Sequence, residues 1–135
     1  MATPQEIVQK FCDLMVRRDA AAVRPYIADD AVYQNVGMPA TVGVDDIVAN
    51  LIGQFEMFAD TYEYVMKSIS SNGDTVLTER IDQMTTPTGK QGLPVMGAFV
   101  VRDGKITRWH DYWDMGLVMK MMTGEDVSGL IPKNY

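Results

Sequence analysis

Residues 92–114 read GLPVMGAFVVRDGKITRWHDYWD and are the most informative stretch for the fold. Two strand-length segments, Gly92–Arg102 and Lys105 to about Asp114, flank the pair Asp103-Gly104, which is a signal for a tight turn. A connection this short joins neighbouring strands that run in opposite directions. The segment therefore predicts an antiparallel β-hairpin near the end of the chain.

Further strands are predicted before this hairpin. Thr61–Ser70 and Thr75–Thr85 have strand-like composition, and turn signals follow them at Asn72-Gly73 and at Pro87-Thr88-Gly89. Because the connections are short, we expect the four segments to be sequential neighbours in one antiparallel sheet. An additional strand is expected upstream, at Ala31–Asn35.

The first half of the chain is predicted to be mainly helical. Thr3, Pro4 and Glu6 are typical of a helix start with a capping box, and this helix is expected to end at about residue 17. Asp19 is expected to cap a short helix over residues 20–26. Apolar spacing predicts a third helix over about residues 44–55, with a buried face of Ile47, Val48, Leu51, Ile52 and Phe55.

The segment that begins at Met115 is predicted to be a short helix. Its apolar residues at helical spacing are Met115, Val118, Met119 and Met122. We expect this face to pack over the mouth of a pocket or against a second subunit. Helices first and an antiparallel sheet afterwards predict one α+β domain over residues 1–135, in which a curved sheet wraps over the N-terminal helices and encloses a pocket.

Composition and charge argue against several classes of partner. The chain has 135 residues, of which 47% are hydrophobic, enough for one continuous core. Its net charge of -6, without a Lys or Arg cluster, argues against a nucleic-acid partner and against docking on an anionic membrane. The apolar runs are of strand length, and no secretory signal or cysteine pair is seen, so we expect a soluble, cytoplasmic protein.

Strand alternation places the candidate chemistry on shared faces. Arg80 and Asp82 are two residues apart in one predicted strand, so their side chains point the same way. Asp111 shares the face of the last strand with Trp109 and Trp113. Because the indoles partly desolvate the Asp111 carboxylate, it requires a partner, and Arg80 is suitable if the two strands lie close together.

Tyr33 and Asn35 also share a strand face and offer a hydroxyl and an amide suited to holding water. A water molecule held by Tyr33, Asn35 and Asp111 would be a nucleophile beside its general base. Ordinary structural roles remain open at this point. An arginine and an aspartate two apart can form a solvated ion pair, and aromatic side chains can pack under a surface strand.

The single histidine and single cysteine argue against a zinc site, because they supply too few ligands. Cys12 lies in an apolar helical pattern and is expected to be a buried small hydrophobe. His110 lies on the strand face opposite Asp111 and is expected to be exposed or structural. We therefore expect no bound metal.

Four segments together resemble the limonene-1,2-epoxide hydrolase family. They are VYQN at 32–35, SSNGDTVLTERID at 70–82, PTGK at 87–90 and VMGAFVVRDGKITRWHDYWD at 95–114. The resemblance spans nearly the whole chain, in order and with matching spacing. It implies the cone-shaped α+β fold shared with nuclear transport factor 2, ketosteroid isomerases and polyketide cyclases, usually as a homodimer paired through the sheet.

The resemblance also implies a reaction and a role for each site residue. Water would add in one step to a small apolar epoxide, such as a terpene or cycloalkene oxide, giving a vicinal diol without cofactor, metal or covalent intermediate. Asp111 would take a proton from a water held by Tyr33 and Asn35. Asp82, kept protonated by desolvation, would donate to the epoxide oxygen, and Arg80 would position both acids.

This chain departs from the family pattern at two positions beside Asp111. His110 stands where an arginine is expected, and Trp113 stands where a phenylalanine is more typical. Trp113 shares the face of Asp111, so the departures bear on pocket shape and substrate preference more than on chemistry. Two alternatives remain: an isomerase or polyketide-cyclase-type enzyme on the same fold, and a non-catalytic module that binds a small molecule.

Overall fold

The computed structural model describes residues 2–58 and 63–133. In this part of the chain the helices are α1 (Pro4–Met15), α2 (Ala20–Val23), α3 (Val44–Met57) and α4 (Met115–Met122). The strands are β1 (Ile27–Asn35), β2 (Thr41–Val42), β3 (Glu63–Asn72), β4 (Thr75–Thr86), β5 (Gly89–Arg102) and β6 (Lys105–Tyr112). A 3-10 turn, Arg24–Tyr26, follows α2.

The sheet has the strand order β2-β1-β6-β5-β4-β3. Strands β3 to β6 are sequential antiparallel neighbours, as the turn signals predict. Strand β1 instead pairs in parallel with β6, with Tyr33 opposite Trp109 and Asn35 opposite Asp111. This parallel pairing is not predicted from the sequence, because the two strands are far apart in the chain and a parallel pair needs a long crossover.

Helices α1 and α3 pack on one face of the sheet. Trp109 lies at the centre of the core that they cover, stacked on Tyr33 and Phe99 with ring centroids 4.1 Å and 5.7 Å away, and Phe11 of α1 meets it edge-on at 5.1 Å. Such aromatic contacts add to the apolar area that the rings bury. The α+β architecture, with a mainly antiparallel sheet packed on the N-terminal helices, confirms the predicted fold class.

Two of the predicted helix starts are confirmed by their caps. Thr3 Oγ1 accepts a hydrogen bond from the Glu6 backbone N–H at 3.2 Å, and it also donates to the Glu6 carboxylate at 3.1 Å. Asp19 accepts from the backbone N–H groups of Ala21 and Ala22. These bonds satisfy donors that a helix leaves without intrahelical partners.

Two details of the prediction are corrected, and a third lies partly outside the described residues. Helix α1 ends at Met15, two residues earlier than expected. Ile52 is exposed on α3, so it does not belong to the buried face. The strand expected from Thr61 is described from Glu63 onward, and residues 61–62 lie outside the described part of the chain.

Helix α4 has a buried face that is not predicted, in addition to the predicted apolar face. Leu117 and Met121 are buried against Leu93, Val95 and Val127. The predicted face, with Met115, Val118, Met119 and Met122, is partly buried or exposed, and three of its members line a cavity. A cavity wall and a packed core need the same apolar residue types, so periodicity does not distinguish them.

Within the described residues, no helix has both the length and the apolar character needed to cross a membrane.

Candidate active site

The guanidinium of Arg80 lies at the centre of the candidate site, with its side chain fully buried. Its Nε and Nη2 donate to the two carboxylate oxygens of Asp82 at 3.1 and 2.9 Å. Its Nη1 and Nη2 donate to the oxygens of Asp111 at 3.2 and 3.0 Å. Arg80 therefore forms a bidentate salt bridge with each of the two carboxylates, which is the strongest geometry for such contacts.

Gly97 allows the Arg80 guanidinium to reach across the sheet. On β5 it pairs with Thr78 of β4 on one side and with Asp111 of β6 on the other. A Cβ at this position would lie 2.6 Å from Thr78 Oγ1 and 2.7 Å from Arg80 Nη1. Gly97 is not among the predicted site residues, although a glycine inside a strand is a signal of close approach by another group.

The Tyr64 ring lies against the same guanidinium, with the carbon of the cation 4.4 Å from the ring centroid. Such a cation–π contact stabilises a desolvated charge. Burial acts to lower the pKa of Arg80, but the charges of Asp111 and Asp82 outweigh it and raise that pKa well above its ordinary value. Arg80 is thus a permanent cation between the two acids.

The two acids have unequal surroundings. The Asp111 side chain is 4% exposed, and its Oδ1 also accepts a hydrogen bond from the Trp109 indole N–H at 2.8 Å. The Asp82 side chain is 20% exposed, and both of its oxygens accept from Arg80. Desolvation raises the pKa of Asp82 to about 6 in spite of Arg80. Asp82 can therefore carry a proton near neutral pH, while Asp111 has donors that stabilise a negative charge.

Trp109 has a second function that the sequence analysis did not assign. Strand alternation placed it beside Asp111 as a desolvating wall, and its ring does lie in the core. Its indole N–H also bonds the carboxylate, because side chains two apart on a strand face can reach each other.

Tyr33 and Asn35 lie next to the acids at the end of β1, as predicted. The buried Tyr33 hydroxyl accepts hydrogen bonds from Asn35 Nδ2 at 3.2 Å and from Gln54 Nε2 at 3.1 Å. Burial raises the pKa of Tyr33 to about 12, so it is a neutral phenol at physiological pH. The Asn35 carbonyl oxygen accepts from the Trp113 indole N–H at 2.9 Å.

Gln54 of α3 is a polar site residue that the sequence analysis missed. It lies one position before Phe55 and three after Leu51, both on the buried face of α3. A polar residue that close to an apolar helical face is a signal that could have indicated it.

A cavity of about 380 Å³ connects these groups. Asp82, Asp111, Tyr33 and Asn35 line it, and Arg80 is buried between the two acids. The structure therefore brings all five predicted residues together. The remaining wall is mainly apolar and includes Met57, Met84, Leu93, Val95, Trp113 and Val118.

His110 lies opposite Gln34 on the neighbouring strand and does not line the cavity. Cys12 is buried in the core, as predicted, and burial raises its pKa to about 12. In residues 2–58 and 63–133, no group of three or more His, Cys, Asp or Glu side chains is placed to hold a metal ion.

The arrangement is chemically capable of acid and base catalysis in one apolar cavity. Two carboxyl groups held by one cation in unequal environments can take different protonation states at the same pH. Groups that can hold a water molecule lie beside one of them, which is the geometry of a general base with its nucleophile.

Comparison with known proteins gives three findings. A family model described as the limonene-1,2-epoxide hydrolase catalytic domain matches residues 2–123. The epoxide hydrolase EphG of Mycobacterium tuberculosis is 30% identical over 125 residues, which are 93% of this chain and 83% of that protein. The structure of an LEH-like epoxide hydrolase from M. tuberculosis is 30% identical and superposes with a TM-score of 0.71, covering 90% of this chain and 87% of the other.

A more distant structure shares the fold alone. An NTF2-like protein of unknown function from Cytophaga hutchinsonii superposes with a TM-score of 0.73 at 16% identity, covering 88% of this chain and 96% of that one. The cone-shaped fold expected from the sequence is therefore confirmed, without any implication for activity.

Proposed function

The chain belongs to the limonene-1,2-epoxide hydrolase family, and from that premise we propose that it adds water in one step to a small apolar epoxide, giving a vicinal diol. The observation that carries this proposal is the pairing of Arg80 with both Asp82 and Asp111 on one apolar cavity. Epoxide opening near neutral pH needs a base and an acid together, and unequal surroundings let two carboxyls divide these roles.

Asp111 is the proposed base. It would take a proton from a water held by Tyr33 and Asn35, while that water oxygen attacks an epoxide carbon. Hydrogen bonds from Arg80 and Trp109 orient its carboxylate and support its negative charge before the reaction. No enzyme–substrate ester forms in this scheme, because the attacking oxygen belongs to water.

Asp82 is the proposed acid. Its proton would pass to the epoxide oxygen as the carbon–oxygen bond opens, and its pKa of about 6 supports partial protonation near pH 7. After one turnover Asp111 holds a proton and Asp82 has lost one. Return of a proton from Asp111 to Asp82 restores the site, and Arg80 keeps both carboxyls oriented meanwhile. The net change is addition of one water molecule.

The cavity suits a compact hydrocarbon epoxide. Its volume of about 380 Å³ and its methionine, leucine, valine and tryptophan walls fit a terpene or cycloalkene oxide. Methionine side chains adapt to ligands of different outline, which favours more than one substrate of this class. We propose that neither a metal nor a cofactor takes part.

The chain is further proposed to be a homodimer paired through the outer face of the sheet. Leu77, Met96 and Tyr112 lie on the face opposite the catalytic residues and are exposed apolar side chains. Pairing would remove this surface from water. The single domain over residues 1–135 and the cytoplasmic location stay predictions.

The test is incubation of the purified protein with limonene oxide and cyclohexene oxide in ¹⁸O-labelled water, without added metal or cofactor. We expect the label in a diol under single-turnover conditions, and loss of the product in the Asp82→Asn and Asp111→Asn variants. Unlabelled diol in a single turnover would exclude direct attack by water. Inactivity on every epoxide would favour an isomerase, a cyclase or a binding module.

A further inference from the structure

A chain of side-chain hydrogen bonds runs across the cavity wall and joins three elements. The Trp113 indole N–H, just beyond β6, donates to the Asn35 carbonyl oxygen at 2.9 Å. The Asn35 amide nitrogen donates to the Tyr33 hydroxyl at 3.2 Å, and the Gln54 amide nitrogen of α3 donates to the same hydroxyl at 3.1 Å. Trp113, Asn35, Tyr33 and Gln54 all line the cavity.

Trp113 determines which way the Asn35 amide faces. An indole N–H can only donate, so the Asn35 atom beside it must be the carbonyl oxygen. The amide NH₂ is then directed to the Tyr33 hydroxyl. Without a donor-only partner, the two ends of an asparagine amide have nearly the same shape and can exchange places.

The fixed amide in turn determines the role of the Tyr33 hydroxyl. A phenol oxygen accepts hydrogen bonds through its lone pairs and donates through one hydrogen. Asn35 and Gln54 both donate to this oxygen, so the hydroxyl hydrogen is left to donate to another acceptor. A water in the cavity would be such an acceptor.

These assignments orient the proposed nucleophile. A water that accepts from Tyr33 can donate one hydrogen to the Asp111 carboxylate and the other to the second lone pair of the Asn35 carbonyl oxygen. One lone pair of the water then remains for attack on the epoxide carbon. A reversed Asn35 amide would place NH₂ where this carbonyl acceptor is needed.

We propose that Trp113 is a positioning residue that acts through Asn35 and sets the orientation of the attacking water. The inference rests on the proposed epoxide hydrolysis. A phenylalanine at this position would have the shape of a cavity wall but could not donate to Asn35.

The first test detects the hydrogen bond without any use of activity. The chain has two tryptophans, so the ¹H–¹⁵N spectrum has two indole resonances, and the Trp113→Phe variant assigns them. In Asn35→Ala we expect the Trp113 resonance to shift and to exchange faster with solvent than in the wild type. The cavity-wall variant Val118→Ala is the matched control and should leave that exchange rate unchanged. An unchanged Trp113 resonance in Asn35→Ala would overturn the proposal.

The second test measures positioning. Site-specific replacement of Trp113 by 3-benzothienylalanine keeps the ring shape and removes the N–H. We expect kcat to fall about tenfold in this variant and in Trp113→Phe, with a smaller change in KM. In an Asn35→Ala background, the same replacements should cost less than about twofold, because the group they act through is absent.

Two results would overturn the role of Trp113: full activity of the benzothienylalanine variant, or equal losses in the wild-type and Asn35→Ala backgrounds. Val118→Ala is again the control, and its effect should be the same in both backgrounds. If the wild type hydrolyses no epoxide, the proposed function fails. The indole resonances then still decide whether Trp113 holds Asn35.

Discussion

Arg80 is a fully buried cation whose partners are also the candidate catalytic groups. A buried charge is stabilised only when it is paired and hydrogen-bonded. Asp82 and Asp111 each accept two hydrogen bonds from Arg80, and the Tyr64 ring covers the guanidinium. At the scale of the residue, the contacts that stabilise the fold therefore also arrange the proposed acid and base.

The pKa of Asp82 predicts the pH dependence of catalysis. Asp82 must be protonated to act as the acid. As far as this group controls the rate, kcat/KM should therefore be highest below pH 6 and fall as pH rises through the Asp82 pKa of about 6. Initial rates with cyclohexene oxide between pH 5 and 8 provide the measurement. Rates that rise with pH across 6 to 8 would instead assign Asp82 as a base.

Replacement of Arg80 by lysine tests whether one cation must bind both acids. A lysine keeps the positive charge, but its ammonium group cannot form bidentate hydrogen bonds with both carboxylates. Arg80→Lys should therefore lower kcat/KM by about 100-fold. Loss of hydrogen bonds should also lower the free energy of unfolding by roughly 2 kcal/mol. Kinetics and thermal unfolding measure the two effects.

Arg102→Lys is the matched control, because Arg102 is an exposed arginine 3.8 Å from Asp74. Arg102→Lys should change neither kcat/KM nor the free energy of unfolding appreciably. Wild-type activity in Arg80→Lys would show that charge alone suffices.

At the scale of the element, the register of three strands creates the site. Strand β4 carries Arg80 and Asp82, β6 carries Asp111, and β5 lies between them with Gly97 at the crossing point. The missing side chain at Gly97 leaves space for the guanidinium. A shift of one residue in either pairing would turn the acids to opposite faces.

Gly97→Ala is expected to damage both fold and activity. The added methyl group would lie 2.6 Å from Thr78 Oγ1, 2.7 Å from Arg80 Nη1 and 2.9 Å from the Phe99 ring. We expect the free energy of unfolding to fall by about 2 kcal/mol, since overpacking forces neighbours to move. Displacement of Arg80 should also lower kcat. Denaturant unfolding and initial rates are the measurements.

Gly53→Ala is the control for this substitution. Gly53 lies exposed in α3, and a Cβ there meets no atom within 4 Å among the described residues. Alanine should stabilise the helix by about 0.5–1 kcal/mol. If Gly97→Ala lowered neither the free energy of unfolding nor kcat, the Arg80 guanidinium would not need the space that Gly97 leaves.

At the scale of the whole molecule, the helices and the sheet form a cavity lined by the polar site residues and by a larger apolar wall. Strand β1 brings Tyr33 and Asn35 beside β6, while α3 adds Gln54 and α4 adds Met115 and Val118. The face of the sheet that carries Leu77, Met96 and Tyr112 lies on the other side. The molecule thus separates its candidate site from its proposed pairing surface.

The homodimer proposal predicts the effect of charge on that outer face. We expect the wild type to sediment as a dimer, and the double variant Leu77→Glu with Met96→Glu to sediment as a monomer that keeps its helix and strand content. A glutamate there would be desolvated at the interface without a partner. Leu130→Glu, an exposed apolar position outside the sheet, should stay dimeric. A monomeric wild type would contradict the proposal.

Helix starts, hairpins and side-chain alternation on each strand are predictable from the amino-acid sequence, because these features depend on near neighbours in the chain. Side-chain alternation and the family resemblance together also identify five candidate site residues: Tyr33, Asn35, Arg80, Asp82 and Asp111. The catalytic roles of these residues stay predictions. The predicted face of α4 lines the cavity, in agreement with one of its two expected positions, whereas the buried face with Leu117 and Met121 is not predicted.

The contacts that assemble the site cannot be predicted from local sequence. Contacts between distant segments of the chain create three features of the site. These are the parallel pairing of β1 with β6, the hydrogen-bond donors Gln54 and Trp113, and the space at Gly97 that the guanidinium occupies. Gln54 is 21 residues from Tyr33, and Trp113 is 78 residues from Asn35. Local preferences carry no information over such separations, because these contacts form only when the packed sheet and helices bring the side chains within hydrogen-bonding distance.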